Sequence, residues 1–412
     1  MPRLAALLAV VLLACAPAWA QRTVTVSPGT SAHPIADALD RARPGDRLLV
    51  AAGTYRESGL VVDKSVELIA QGEAILDGGG EPILRIEADS VTVRGFTFRN
   101  VAPSFVEDRA AVLVEKAAGC VIDGNRFEDT FFGVYLAETS GCVVTGNTLR
   151  GRDVGESKAG NGIHLWYSRH VTVRGNTIRG HRDGIYFEFV EDGVVEDNVS
   201  EGNLRYGLHF MFSDRCRYAR NAFLANGAGV AVMYTKHVEM VENRFEDNWG
   251  PASFGLLLKD ITDSTISRNV FARNTVGLYA EGSNRVEIAE NTFDRNGWAV
   301  KVMADAYENV FTRNNFVANS FDVGTNSRQS YSTFSGNYWD GYEGYDLDRD
   351  GVGDVPFRPV RLFALLVERN EPALLLMRSL FVQLLDVAER VAPVLTPATL
   401  VDERPAMRPL PL

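Results

Sequence analysis

The chain has 412 residues, 46% of them hydrophobic, with 37 glycines and a formal net charge of −11. Such a length ordinarily means two or three globular domains, unless the chain is a repeat array in which each unit packs only on its neighbours. The acidic balance, with no clusters of Lys and Arg, excludes nucleic acid as a partner. It fits a soluble protein that weakly favours cationic partners.

Residues 1–20 read as a signal peptide. Arg3 supplies the positive end, Leu4 to Leu13 the apolar stretch, and Ala18-Trp19-Ala20 the small-residue cleavage site. The apolar run is too short for an ordinary membrane span. Leu12-Leu13-Ala14-Cys15 also resembles a bacterial lipoprotein box, and cleavage after Ala20 is the favoured alternative. Both routes deliver the chain to an oxidising compartment.

Residues 21–60 form an N-terminal cap and first coil. Ile35 to Leu39 is a predicted capping helix, and the run from Pro44-Gly45-Asp46 to Gly53-Thr54-Tyr55-Arg56 resembles the first turn of pectate-lyase-like β-helices. An open terminal strand edge would invite aggregation, so a cap is expected.

Over residues 61–340 an asparagine recurs at 125, 147, 176, 198, 221, 243, 269, 291, 314 and 337, in steps of 22, 29, 22, 23, 22, 26, 22, 23 and 23 residues. The two long steps are insertions, at Arg150 to Gly160 and around Trp249 to Ser253. An alternating strand precedes each asparagine, as in Val171-Thr172-Val173. After most of them a large apolar residue follows two positions later, as at Phe127, Ile178 and Phe245. A period near 22 residues with Gly and Asn punctuation predicts an all-β, right-handed parallel β-helix. The asparagines are read as structural, because their amides can bond from coil to coil.

A second strand in each coil begins at a small residue: Gly133, Gly162, Gly184, Gly207, Gly229, Gly255, Gly277 and Ala299. Positions one and three after it are apolar and face the core, so positions two and four face out. The first outward column is Tyr135, His164, Tyr186, His209, Ala231, Leu257, Tyr279 and Lys301. The second is Ala137, Trp166, Glu188, Met211, Met233, Lys259, Glu281 and Met303. His209, Met211 and Met233, with His164 and Glu188 beside them, make a soft donor set of the kind that suits Cu(I). A surface patch covered by a partner protein is the competing reading. His170, His237, His181 and His33 are expected to be solvated. Cys120 and Cys142 share an inward column on adjacent coils and form either a disulfide or a pair of core thiols; Cys216 is a buried free thiol.

Residues 341–358 carry Asp346, Asp348, Asp350 and Asp354 around Gly351. This is the start of a calcium loop without the closing Glu, or else an Asp-rich surface turn. Residues 359–392 are an apolar helical segment that caps the last coil or packs on a partner. Residues 393–412 read as a flexible Pro-rich tail.

The coil pattern, the phrase Gly160-Asn161-Gly162-Ile163-His164-Leu165-Trp166, and Gly336-Asn337-Tyr338-Trp339-Asp340 through Asp354-Val355-Pro356 together resemble the NosD family. These are periplasmic β-helical accessory proteins of nitrous oxide reductase maturation. The resemblance implies a non-enzymatic, periplasmic protein that reaches the membrane only through partners. Those partners would be an ABC transporter permease and its ATPase, a membrane-anchored copper chaperone, and nitrous oxide reductase, whose copper–sulfur centre is assembled. It implies that transiently held Cu(I) is handled at the His/Met face and that the apolar helical segment docks on the permease. A carbohydrate lyase or epimerase, with Glu188 and His209 as acid and base, and a purely structural docking module are the alternatives. No pair of carboxylates at catalytic spacing supports the sugar enzyme.

Overall fold

A left-handed turn sets the rhythm of each coil. The residue before the repeat asparagine has φ of 61° at Gly124, 57° at Asp197, 54° at Arg220 and 54° at Arg268. Glycine meets this conformation without strain, and elsewhere charged residues accept its cost. Several of these charged residues pair across coils, as Arg220 Nε does with Asp197 at 2.7 Å.

The computed structural model describes residues 21–411, apart from 105, 153, 328, 329, 378 and 392–399. The proposed signal peptide and Cys15 lie outside them. Strands pair in parallel from coil to coil, giving a right-handed parallel β-helix of about 14 turns. Its walls are a 25-stranded and a 12-stranded sheet. The second strands of the coils form the smaller sheet. Helix α1 (Pro34–Arg41) seals the N-terminal end, burying Ile35, Ala38 and Leu39.

Two columns hold the coils in register. The asparagine Oδ1 of each coil accepts the backbone N–H and the side-chain amide of the asparagine before it, at 2.9 and 3.1 Å for Asn147 and Asn125. Buried rings follow the same register: Phe245, Phe271, Phe293, Phe316 and Trp339 stack with centroids 4.7, 4.8, 5.0 and 4.1 Å apart. A second ladder runs through Asn203, Asn226, Asn248, Asn274, Asn296 and Asn319, with the same pair of bonds at each step.

The C-terminal region differs from the expectation of a free tail. Residues 400–411 return to the last coil. Asp402, fully buried, occupies the place where the next asparagine of the first ladder would stand. Its carboxylate accepts from Gly336 N, Asn337 N, Asn337 Nδ2 and Trp339 Nε1, all at 3.0 Å. Bridges from Phe357 and Phe334 to Asp402, and from Val352 and Tyr338 to Ala406, complete a lid over the open end.

The cap on the last coil is therefore this strap and not the apolar helical segment. Helix α2 (Leu362–Arg369) lies instead on the outer face of the smaller sheet. There Phe363, Ala364 and Val367 pack against Val276, Trp298 and Phe321. Lys301 Nζ and Glu368 Oε2 pair at 2.6 Å. Helix α3 (Leu380–Val391) follows, held where Leu362 N–H donates to Glu389 at 3.0 Å. Among the described residues no helix is long and apolar enough to cross a membrane.

Candidate metal-handling face

Strand alternation in the smaller sheet places the outward columns side by side. Tyr135 pairs with His164, His164 with Tyr186, Tyr186 with His209, and His209 with Ala231. In the second column Trp166 pairs with Glu188, Glu188 with Met211, Met211 with Met233, and Met233 with Lys259. Neighbouring coils lie about 4.8 Å apart. His209, Met211 and Met233 thus stand on two adjacent coils, and His164 and Glu188 lie on the preceding ones. Met303 departs from the column: it follows the strand end and is buried.

The face is far less open than alternation implies. Tyr135, Tyr186 and His209 are buried, and His164, Glu188, Met211 and Met233 are partly covered. The rings shield one another. His164 lies 4.5 Å from Tyr135 and 4.7 Å from Tyr186, and His209 lies 4.9 Å from both Tyr186 and Tyr206, measured between centroids. Burial pushes the His164 imidazole down to about 3 and the Tyr186 hydroxyl up to about 12. His164 is therefore a neutral ring at physiological pH, with Nδ1 3.0 Å from Asn161 Nδ2. The Tyr186 hydroxyl donates to Met211 Sδ at 3.7 Å, which orients that thioether.

Behind His209 stands an ion pair. Asp183, with no exposed surface, is gripped by the Arg205 guanidinium, Nε to Oδ1 at 2.8 Å and Nη2 to Oδ2. Burial, the largest influence, pushes its carboxyl up, and the Arg205 guanidinium outweighs it and holds the group below the usual range. His209 Nδ1 is 3.2 Å from Arg205 Nη2 and 3.7 Å from Asp183 Oδ2, and its Nε2 is buried with no hydrogen-bond partner among the described residues.

The rims of the face come from turns. On one side lie the insertions, including the short helical turn Glu156–Lys158. On the other side Tyr167, Phe189, Phe212 and Tyr234 stack at 4.5, 5.1 and 5.1 Å. All four have positive φ, between 46° and 56°. Bulky residues seldom adopt that conformation. Tyr167, Phe189 and Phe212 border an open groove of about 710 Å³ that also takes in Trp166, Glu138 and Glu191. The ladder spans the four coils that carry Trp166, Glu188, Met211 and Met233. Sequence reasoning missed it, although the signal was there: an aromatic five residues after Gly162, Gly184, Gly207 and Gly229.

The remaining candidates lie elsewhere. His181, expected in solvent, is buried at 1% exposure, and burial lowers it to about 4. Cys120 and Cys142 are free, buried thiols on adjacent coils, and Cys216 is a third. Contact between the first two raises Cys120 and lowers Cys142 to about 7. Asp346, Asp348 and Asp350 bring ligand oxygens within 4.8 Å of one another. These carboxylates already accept from the loop's own backbone, Asp346 from Gly351, Asp348 from Asp350 and Asp350 from Val352, while Asp354 accepts from Leu347.

Comparison with known proteins fixes the family. Residues 151–344 match the model of the periplasmic copper-binding protein NosD. A probable ABC transporter binding protein NosD of Pseudomonas aeruginosa is 32% identical over 398 residues, covering 92% of each chain. The chain belongs to the NosD family. A second relative with the same description, from Stutzerimonas stutzeri, is 28% identical and covers 88% of this chain and 87% of its own. The NosD match contains His164, Glu188, His209, Met211 and Met233 and ends before Asp346. Among solved structures, the Streptococcus pneumoniae surface adhesin PfbA superposes with a TM-score of 0.59 at 12% identity, over 72% of this chain and 89% of the adhesin. The Dettilon tailspike protein gives 0.56 at 15%, over 72% and 68%. These two likenesses concern the β-helical fold alone.

Proposed function

We propose that this NosD protein is a non-enzymatic periplasmic carrier. It takes Cu(I) from a membrane-anchored chaperone and works with an ABC transporter to assemble the copper–sulfur centre of nitrous oxide reductase. The observation that carries the reading is the register of Met211 with Met233 beside His209, on a sheet face with few hard ligands. Thioethers and imidazole bind Cu(I) well and hard cations poorly. A short set of such donors, partly covered, suits a cargo that must be received and given up. His164 and Glu188 flank it. The NosD relatives are named as transporter binding proteins, and helix α3 offers the surface for that contact. Leu380, Leu384 and Val387 are 70%, 60% and 58% exposed. An apolar row of this kind marks a contact with a protein or a membrane. It shares the sheet face with the donors, so a docked permease would lie a few coils from the cargo.

An anaerobic Cu(I) competition titration tests the reading, comparing the mature protein with the His209→Ala/Met211→Ala/Met233→Ala variant. Stoichiometric binding that the variant loses supports it. Equal binding by both rejects the ligand assignment.

A further inference from the structure

We infer that Arg205 is the positioning residue that decides which nitrogen of His209 carries the proton, and so whether the ring can take a metal. The inference rests on the reading of His209 as a Cu(I) ligand, but its first step concerns the metal-free protein alone.

A guanidinium only donates hydrogen bonds. Arg205 Nη2 sits 3.2 Å from His209 Nδ1, so Nδ1 offers its lone pair there and the ring proton lies on Nε2. Asp183 Oδ2, at 3.7 Å, is beyond hydrogen-bond length from Nδ1. Nε2 is the nitrogen with no partner among the described residues. The ring therefore holds a buried, unanswered N–H at Nε2, the nitrogen whose lone pair a metal would need. Leaving such a donor unpaired is unfavourable, so the state is held by its surroundings and not by the ring itself.

Asp183 supplies the other state. When the guanidinium withdraws, the carboxylate is the acceptor left beside Nδ1. The proton leaves Nε2 to solvent and a proton from solvent arrives on Nδ1, which then donates to Asp183. Nε2 gains a free lone pair. A carboxylate behind the distal nitrogen is the arrangement that orients metal-binding histidines and raises their basicity. Arg205 has somewhere to go: its side chain is 32% exposed and its guanidinium lies 5.1 Å from the centre of the Tyr206 ring. The charge of Glu156, on the insertion that rims the face, is felt at Arg205 and Tyr206. An acidic group brought by a docking partner would draw the guanidinium the same way.

The arrangement makes the resting carrier a weak binder that is strengthened when Arg205 is displaced. The test is ¹⁵N NMR of the metal-free protein with labelled histidine, reading the His209 tautomer, followed by Cu(I) titration of the same samples. Wild type is expected in the Nε2–H form. Arg205→Met is expected to move to the Nδ1–H form and to bind Cu(I) about tenfold more tightly. An Nδ1–H ring in wild type overturns the inference, and that spectrum needs no substitution that could misfold. Arg205→Lys keeps a cation beside buried Asp183 but loses the two-pronged grip. It is expected to show both tautomers, and an unchanged wild-type pattern in a folded Arg205→Lys also overturns the inference. A tautomer shift without a gain in affinity supports the switch and rejects His209 as a copper ligand, so the two failures are told apart.

Discussion

Single residues carry more of this structure than the repeat alone reveals. Asp402 ends an asparagine ladder by accepting five N–H groups while fully buried, four from the last coil and one from Arg404. Asp402→Ala leaves those donors unpaired, and a loss of about 3 kcal/mol or more is expected by chemical denaturation. Asp322 acts in the opposite sense. Burial lifts its carboxyl to about 7, with Arg361 opposing and Asp340 adding to the rise. The folded state then holds a proton that the unfolded chain has already lost. Stability falls as pH rises from the usual carboxylate range to about 7 and levels off above it. Asp322→Asn is expected to remove that slope and to raise the melting temperature at pH 8, which melting curves across pH 5 to 8 check. The His/Met columns were legible in the sequence, because strand alternation fixes the direction of a side chain two or four residues after a known glycine. Arg205 and Asp183 were not. They stand just before Gly207 and Gly184, where the chain enters the strand and alternation gives no direction.

At the scale of elements, the two helices of the C-terminal segment dispose of their apolar residues differently. Helix α2 buries Phe363 and Val367 on the sheet, while α3 leaves Leu380 and Leu384 in solvent. Leu380→Glu/Leu384→Glu is expected to reduce co-purification with the transporter severalfold while leaving Cu(I) binding unchanged. Loss of both properties would show a folding defect instead. The acidic loop gives a second prediction. A cation among Asp346, Asp348, Asp350 and Asp354 would relieve the repulsion of carboxylates whose oxygens lie within 4.8 Å in the first three. Millimolar calcium is then expected to raise the melting temperature, and Asp348→Asn/Asp350→Asn to abolish the rise. The C-terminal strap was illegible because its proline content imitates a linker. It pairs through single-residue bridges, and an aspartate stands where the asparagine would, so no period announces it.

At the scale of the whole molecule, the solenoid is a frame that carries the proposed donor set and the proposed docking helix on one face. Ladders of asparagine and phenylalanine make its coils identical where they stack, which frees the outward positions to differ. That is why the fold was readable from one asparagine column, and why the second ladder, five residues after the first in six consecutive coils, was equally open to view. Coverage of the face was not readable, since it depends on how rings from different coils lean together. The proposed role requires that Cu(I) be held by thioether and imidazole on this face. X-ray absorption at the copper edge of the Cu(I)-loaded protein tests it most directly, beside Met211→Ala/Met233→Ala. Sulfur and nitrogen scatterers are expected in the wild type, with loss of the sulfur shell in the variant. A sulfur shell that survives the double substitution, or a wild-type site built of oxygen and nitrogen alone, would contradict it.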